Sequence, residues 1–190
     1  MAVAAKTVVI LGGGVGGLVA ANELRKRLPN VHRIVVVDRE PTFVFAPSLL
    51  WVMTGDRIVK RISRPLSRLG RKGITFVHGD TSAATPGVDA VVSNPPYIPS
   101  GDRDSLPPEV RDYEPPEALF GGEDGLGVIS DLVALASNQL PSSSFLIFEC
   151  GIDQAPTIRE MIAGAPGLDL VEIRPDLSGI PRTVVARRIS

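Results

Sequence analysis

Short runs of apolar residues alternate with longer stretches in which apolar residues recur at helical spacing. The first run covers residues 8–11, and residues 15–28 after it carry an apolar side chain every three or four positions, as an amphipathic helix does. Six further runs lie at 34–37, 74–77, 88–92, 144–149, 168–173 and 183–188. Strand runs that alternate with helices are typical of a mostly parallel sheet. The pattern predicts an α/β, Rossmann-like doubly wound sheet of seven strands, of which the last two form an antiparallel pair.

The stretches between the later runs predict more helices and one long loop. Helical patterns cover 126–140 and 155–163, and a basic segment at 58–69 predicts a helix broken near Pro65. Residues 98–124 are rich in Pro, Asp and Glu, and they predict a loop. Structureless loops longer than about 15 residues are uncommon in compact domains, so this length indicates function.

Length, composition and charge narrow the classes of protein. The 190 residues fit one domain of moderate size, and the net charge of −1 argues against a nucleic-acid partner. With Cys150 as the only cysteine an internal disulfide is excluded, and the two histidines show no spacing typical of a metal site. The chain begins without the pattern of a secretion signal, and no apolar stretch reaches the roughly 20 residues of a membrane span. We expect a cytoplasmic protein with no membrane partner and no bound metal.

A glycine-rich loop follows the first predicted strand and begins the first predicted helix. Gly12, Gly14 and Gly17 fit a dinucleotide fingerprint, in which glycines allow the turn, the approach of a pyrophosphate and helix packing. Gly12, Gly14 and Gly16 equally suit the nucleoside and methionine parts of S-adenosylmethionine. The loop therefore predicts a nucleotide-like ligand without choosing between the two types.

Two aspartates complete the predicted cofactor site. Asp38 ends the second predicted strand, at the position where an acid binds ribose hydroxyls in either type of site. Asp80 follows the third predicted strand and is a candidate contact for the adenine end of a cofactor, although a loop cap is an equal alternative.

The motif Asn94-Pro95-Pro96-Tyr97 directly follows the fourth predicted strand, at the carboxyl edge of the predicted sheet. Two prolines remove two N–H donors and fix φ, so the carbonyls there can face a ligand. An amide nitrogen is a poor nucleophile, and a site that methylates it must accept hydrogen bonds from its N–H groups. Asn94 Oδ1 and the Pro95 carbonyl can accept them, while Tyr97 can stack on a flat group. The motif predicts a catalytic site for amide methylation that acts by positioning and electrostatics.

Other readings of this motif stay open. A rigid Pro-Pro turn without catalytic function is one of them. A nucleic-acid methyltransferase acting on the amino group of adenine is another, since related Asn/Asp-Pro-Pro-aromatic sites serve exocyclic amines. Residues 113–115 and 121–126, together with the nearly neutral charge, favour a protein substrate.

From about residue 88 onward the chain resembles the C-terminal half of the bacterial release factor glutamine methyltransferases. The matching segments are 92–99, 106–115, 121–126 and 174–177, with Gly179 and Arg182. The resemblance implies a class I methyltransferase fold and S-adenosylmethionine as the cofactor. It implies that a glutamine-containing loop of a peptide chain release factor is the partner, and that Asn94, Pro95, Pro96 and Tyr97 are the catalytic residues.

Residues 1–80 resemble the FAD-binding start of sulfide:quinone oxidoreductases and related flavoproteins. The matching segments are 12–17, 37–40, 43–48 and 73–77. This resemblance implies that the glycine loop and Asp38 hold FAD. We therefore expect two family sequences joined near residue 80, with a nucleotide-binding half at 1–80 and a catalytic half at 81–190, folded as one structural domain. A fragment of an FAD- or NAD(P)-binding oxidoreductase is the alternative function.

Each half departs from its family in ways that predict weak activity. Ile10 stands where the methyltransferases have an acid for the amino group of the cofactor, and we expect no helical recognition domain before the glycine loop. Cys150 is the only cysteine of the sequence, so redox chemistry through a disulfide within the chain is unsupported. We expect Cys150 to be a small buried side chain. Glu149 ends the fifth predicted strand and is a candidate for the cofactor pocket.

Overall fold

The chain forms two units, Met1–Ala84 and Thr85–Ser190, in a computed structural model that describes residues 4–45, 48–80, 87–112 and 114–189. Parts of two matched segments, Ala46-Pro47 and Tyr113, lie outside the described residues. The expected junction of two family sequences near residue 80 remains a prediction, because a division of the fold does not reveal the origin of either sequence.

The first unit contains a three-stranded parallel sheet. Its elements are β1 (Thr7–Leu11), α1 (Val15–Arg27), β2 (Arg33–Asp38), β3 (Thr42–Val44), α2 (Leu49–Met53), α3 (Val59–Ile62), β4 (Ser63–Pro65), a 3₁₀ turn (Leu66–Arg68) and β5 (Ile74–His78). β2 lies between β5 and β1, so its residues 34–37 are buried. α1 packs on this sheet and buries Leu18 and Ala21. The apolar runs therefore predict β1, β2 and β5 correctly, and they do not predict the short strands β3 and β4.

The predicted helix at 58–69 is interrupted near Pro65 as expected, but it is much shorter than predicted. Val59–Ile62 is α-helical, Ser63–Pro65 forms a strand antiparallel to β3, and a 3₁₀ turn follows at Leu66–Arg68. Pro65 has no N–H for a helical hydrogen bond, and a proline disfavours the helical conformation of the residue before it. The basic segment therefore leaves the helix before Pro65, and Leu66 of the following 3₁₀ turn is buried.

The second unit contains a four-stranded sheet. Its elements are β6 (Ala90–Ser93), a 3₁₀ helix (Ser100–Ser105), α4 (Pro108–Arg111), α5 (Pro116–Leu119), α6 (Gly127–Gln139), β7 (Phe145–Glu149), α7 (Ala155–Gly164), β8 (Leu168–Pro175) and β9 (Pro181–Arg188). The strand order is β6-β7-β9-β8; β6 and β7 are parallel, whereas β9 is antiparallel to both of its neighbours. Leu146 and Phe148 of β7 are buried, as are Ile158 and Ile162 of α7.

The predicted loop at 98–124 contains short helices that the sequence pattern does not reveal. Each begins beside a proline, with Pro99, Pro107 and Pro115 as N-cap residues. Because the proline ring fixes φ near the helical value and needs no hydrogen-bond acceptor, it suits the first positions of a helix. These turns are too short to show helical periodicity in the sequence.

The two units contribute three and four strands to the predicted seven, and the last two strands pair in antiparallel fashion as predicted. Within the residues that the structure describes, no helix has both the length and the apolar character needed to cross a bilayer.

Candidate functional site

The glycine loop of the first unit is shaped by two glycines that no other residue can replace. Gly12 has a φ of +101°, and its N–H donates to the Val37 carbonyl at 2.8 Å. A Cβ on Gly17 would overlap the Gly12 carbonyl oxygen. These two positions are therefore required by the turn itself, whether or not a ligand binds.

Gly14 and Gly16 differ from these two because the fold does not need them to be glycine. Both are exposed, and among the described residues no heavy atom lies within 4 Å of the position that a Cβ would take at either one. Gly14 is the N-cap of α1 and offers no side chain to its first turn. Open backbone beside an uncapped helix start leaves room for a polar ligand to approach the chain.

Asp38 lies beside this loop, as predicted, and its carboxylate already holds backbone groups. Oδ2 accepts the Gly13 N–H at 2.5 Å, and Oδ1 accepts the Glu40 N–H at 2.6 Å. Each carboxylate oxygen has a second lone pair, so Asp38 can anchor the loop and still accept a ribose hydroxyl.

Asp80 comes shortly after β5, which runs parallel to β2 with His78 opposite Asp38. The N–H of the preceding Gly79 donates to the Asp38 carbonyl at 2.9 Å. The structure thus brings Gly12–Gly17, Asp38 and Asp80 to one edge of the sheet in the first unit. Their roles as cofactor contacts remain predictions.

The Asn-Pro-Pro-Tyr motif follows β6 at the carboxyl edge of the sheet in the second unit. Ser93 pairs with Phe148, so Asn94 and Glu149 directly follow neighbouring parallel positions. Asn94 is exposed, and within the described part of the chain its side-chain amide has no hydrogen-bond partner. Pro95 behind it is buried. A side-chain amide that makes no other hydrogen bond, and that is attached to a rigid and buried backbone segment, is suited to bind a substrate.

A second glycine-rich segment, residues 121–127, closely surrounds the far end of the motif. A Cβ on Gly121 would overlap the Pro96 carbonyl, and one on Gly125 would overlap the Tyr97 carbonyl. The Ile98 carbonyl accepts the Gly121 N–H at 3.0 Å. The matched segment at 121–126 therefore has a physical role, because only glycines allow the backbone to approach the motif this closely.

Tyr97 is held by side chains from two other elements. Its hydroxyl donates to Glu149 Oε1 at 3.0 Å and accepts from Arg182 Nη2 at 2.9 Å. The Arg182 guanidinium also lies over the Tyr97 ring, 5.1 Å from its centroid. Burial raises the pKa of the Tyr97 phenol, and Glu149 raises it further while Arg182 lowers it. Arg182 thus covers one face of the ring, and the predicted stacking on a substrate group would require the opposite face.

The backbone of Tyr97 is held as well. Gln154 Nε2 donates to the Tyr97 carbonyl at 2.9 Å, and Gln154 Oε1 accepts the Gly151 N–H at 2.7 Å.

Glu149 was expected near a cofactor pocket, and the structure shows it in contact with Tyr97 and Arg182. Cys150 is fully buried, and burial raises the pKa of its thiol, in agreement with the expected packing role.

Sequence reasoning missed Gln154 and gave Arg182 no role. Arg182 stands in a segment that matches the methyltransferases, but nothing in that segment indicates a contact with a tyrosine 85 positions earlier. Gln154 is the N-cap of α7, and nothing near it in the sequence indicates its hydrogen bond to the Tyr97 carbonyl, 57 positions earlier.

Comparison with known proteins extends these observations. No protein-family profile matches the chain. It is 40% identical over 128 residues to the release factor glutamine methyltransferase of Deinococcus radiodurans, covering 67% of this chain and 45% of that protein. It is 33% identical over 178 residues to the Geobacter sulfurreducens enzyme of the same name, and this alignment covers 94% of this chain and 57% of that protein. An alignment of 178 residues includes most of both units. The chain spans about half the length of the curated relatives it matches.

Solved structures show the fold. The chain is similar to the Mtq2-Trm112 complex of E. cuniculi, responsible for the methylation of the eRF1 translation termination factor, with a TM-score of 0.54 and 21% identity over 99% of this chain and 87% of that chain. It is also similar to the ribosomal protein L11 methylase of Lactobacillus delbrueckii subsp. bulgaricus, with a TM-score of 0.55 and 15% identity over 99% and 72%.

The sulfide:quinone oxidoreductase of Aquifex aeolicus aligns with 49% of this chain and with 25% of the oxidoreductase chain, at 26% identity. The TM-score of 0.39 is too low to show a shared fold. The predicted class I methyltransferase fold is confirmed by the methyltransferase structures. At least two thirds of this chain is homologous to part of the release factor glutamine methyltransferases.

Proposed function

We propose that this chain is the catalytic part of an S-adenosylmethionine-dependent methyltransferase that modifies the glutamine side-chain amide of a peptide chain release factor. One observation carries the proposal: Asn94 presents an exposed side-chain amide at the carboxyl end of β6, next to the buried Pro95, and among the described residues this amide has no hydrogen-bond partner. The homology to release factor glutamine methyltransferases supports this choice of substrate. The cytoplasm remains the expected compartment.

The two acceptors of the motif would hold the substrate amide. Asn94 Oδ1 accepts a hydrogen bond from one N–H of the glutamine side chain, and the Pro95 carbonyl accepts one from the other. Two acceptors fix the plane of the amide and draw electron density toward its nitrogen. When bound, S-adenosylmethionine supplies an electrophilic methyl group, and its sulfur leaves as a neutral thioether. The amide nitrogen would form the new bond to this methyl group as the bond from the methyl to sulfur breaks, and the nitrogen would then lose one proton directly to water, while the two acceptors only orient its N–H groups.

The residues of the first unit fit this cofactor in part. Gly14 and Gly16 leave the backbone open, and Asp38 keeps acceptor capacity for ribose hydroxyls. Ile10 is 1% exposed in β1, so this position offers no partner to the amino group of the methionine part. We therefore expect weak cofactor binding and slow turnover.

Transfer of a labelled methyl group to purified release factor tests the proposal. We expect Asn94→Ala to reduce transfer by about 100-fold or more, since loss of one preorganised donor or acceptor costs about that much. The matched control is Asn138→Ala, which removes another exposed asparagine, from α6, and should leave the rate unchanged. A release factor with glutamine replaced and an adenine-containing oligonucleotide serve as alternative substrates. Transfer to the oligonucleotide, or equal rates for Asn94→Ala and wild type, would overturn the proposal.

A second candidate function rests on the glycine loop. Gly12, Gly14 and Gly17 with Asp38 also fit the adenosine part of FAD, and the overlap of a Gly17 Cβ with Gly12 is the helix packing that a dinucleotide loop requires. A flavin-binding oxidoreductase fragment would purify as a yellow protein, and a Gly14→Val variant would lose the colour. Calorimetry with FAD and S-adenosylmethionine side by side separates the two, because each proposal requires binding of its own cofactor.

A further inference from the structure

A partly buried ion pair lies directly against the proposed catalytic motif. Arg182 Nη2 is 3.1 Å from Glu149 Oε1, and both groups hydrogen-bond the Tyr97 hydroxyl. The side chains of Arg182 and Glu149 are 21% and 38% exposed. Glu149 is the last residue of β7, and Arg182 is the second residue of β9. Three elements of the second unit thus meet at one phenol oxygen.

The arrangement holds Tyr97 at its hydroxyl, at one face of its ring and at its backbone carbonyl. The hydroxyl is tied at 3.0 Å and 2.9 Å, and the guanidinium covers one face. The carbonyl of the same residue is tied to Gln154 at 2.9 Å. Because Pro95 and Pro96 restrict φ, fixing Tyr97 also limits the backbone three positions earlier, where Asn94 begins the motif.

We propose that Glu149 and Arg182 are positioning residues that hold Tyr97, and through it direct the acceptors of Asn94 and Pro95 toward the substrate amide. This inference rests on the proposed function. Neither residue needs to contact substrate or cofactor. Their effect on stability should be small, because ion pairs with this exposure contribute little, whereas a displacement of about 1 Å in a reacting group can reduce a rate on the order of 100-fold.

Kinetics of single variants give the first test. Arg182→Gln should lower kcat about 10- to 100-fold, with the Kd for S-adenosylmethionine and the thermal midpoint unchanged. Arg182→Lys should recover part of the rate, since it restores the charge without the planar fork. The matched control is Arg174→Gln, which breaks an ion pair with Glu172 at 2.7 Å on the same hairpin and leaves kcat unchanged. A wild-type kcat in Arg182→Gln overturns the inference.

A double-mutant cycle shows whether Arg182 acts through Tyr97. If it does, Tyr97→Phe combined with Arg182→Gln should be no slower than the slower single variant, because the second change removes an interaction that is already lost. Independent effects that multiply would show that Arg182 affects the rate by another route, and they would contradict the inference.

Titration of the Tyr97 phenol gives a readout that does not require activity. Tyr113, the other tyrosine, is replaced by Phe so that the tyrosinate absorbance comes from Tyr97 alone. Arg182→Gln should raise the midpoint and Glu149→Gln should lower it, while Arg174→Gln leaves it in place. If these shifts appear but wild type transfers no methyl group, the proposed function fails, while the contacts of Glu149 and Arg182 with the Tyr97 hydroxyl are confirmed. Absent shifts in an active enzyme overturn the positioning inference alone.

Discussion

The glycine loop after β1 and the Asn-Pro-Pro-Tyr motif after β6 both follow a strand of a parallel pair, but they expose opposite backbone groups. At Gly14 and Gly16 the loop is open and leads into the uncapped start of α1, which offers N–H donors. In the motif two prolines have no N–H, so carbonyls and the Asn94 amide remain. The first suits the oxygen-rich groups of a nucleotide, and the second suits the N–H groups of an amide.

The two segments also differ in how they are held. The glycine loop depends on its own backbone, through Gly12 and Gly17, and on the carboxylate of Asp38. The motif depends on side chains from distant parts of the second unit, Arg182 and Gln154 among them. Changes in backbone shape should therefore disturb the first segment most, and changes in side-chain contacts the second.

The largest effect is expected at Gly17. In Gly17→Ala the added Cβ would overlap the Gly12 carbonyl, which is backbone and cannot move aside cheaply. Overpacking typically costs about 1–3 kcal/mol, and we expect Gly17→Ala to lie at the upper end of that range because the backbone must shift. Hydrogen exchange should show loss of protection in β1 and α1, while β7 and β9 keep theirs.

Gly16→Ala is the matched control for Gly17→Ala. No heavy atom of the described chain lies within 4 Å of its Cβ position, and alanine favours a helix by up to about 1 kcal/mol over glycine. Stability should stay the same or rise, whereas affinity for S-adenosylmethionine should fall if the cofactor crosses this position. Equal stabilities of the two variants would show that the loop is not packed as described.

Removal of the Asp38 carboxylate should have a smaller effect. Asp38→Ala leaves the N–H groups of Gly13 and Glu40 without acceptors, and Gly13 is buried. One buried unsatisfied donor costs about 1–3 kcal/mol. Chemical denaturation measures this loss, and Asp38→Asn should recover much of it because one oxygen can still accept the Gly13 N–H. Equal losses in both variants would indicate that charge, rather than the hydrogen bond, holds the loop.

Each of the seven predicted strands is present in the structure, because an apolar run is a property of consecutive residues. The apolar runs of strands such as 34–37 and 145–149 are recognisable without any knowledge of their partners. The segment at 63–65 is different, since it contains only Ser, Arg and Pro and becomes a strand by pairing with Thr42–Val44. A strand defined by its partner leaves no pattern of its own.

The candidate site divides in the same way. Asn94, the glycine loop and Asp38 stand at strand ends, where the chemistry of a parallel sheet predicts ligands. Arg182 and Gln154 lie 85 and 57 positions from Tyr97, and their roles exist only because the fold brings them together. The groups that we propose to face a ligand are therefore recognisable from the sequence, whereas the groups that hold them in place are not.

The smallest expected effect concerns stability at alkaline pH. Burial and Glu149 raise the Tyr97 pKa above its usual value of about 10, so folding favours the protonated phenol. This contribution is fully present below about pH 10 and is lost as the pH rises through the folded pKa. The free energy of unfolding of wild type should therefore fall more steeply above pH 10 than that of Tyr97→Phe, whose other titrating groups, including Cys150, are the same. Parallel curves for the two proteins would mean that the phenol is as accessible to water in the folded chain as in the unfolded one.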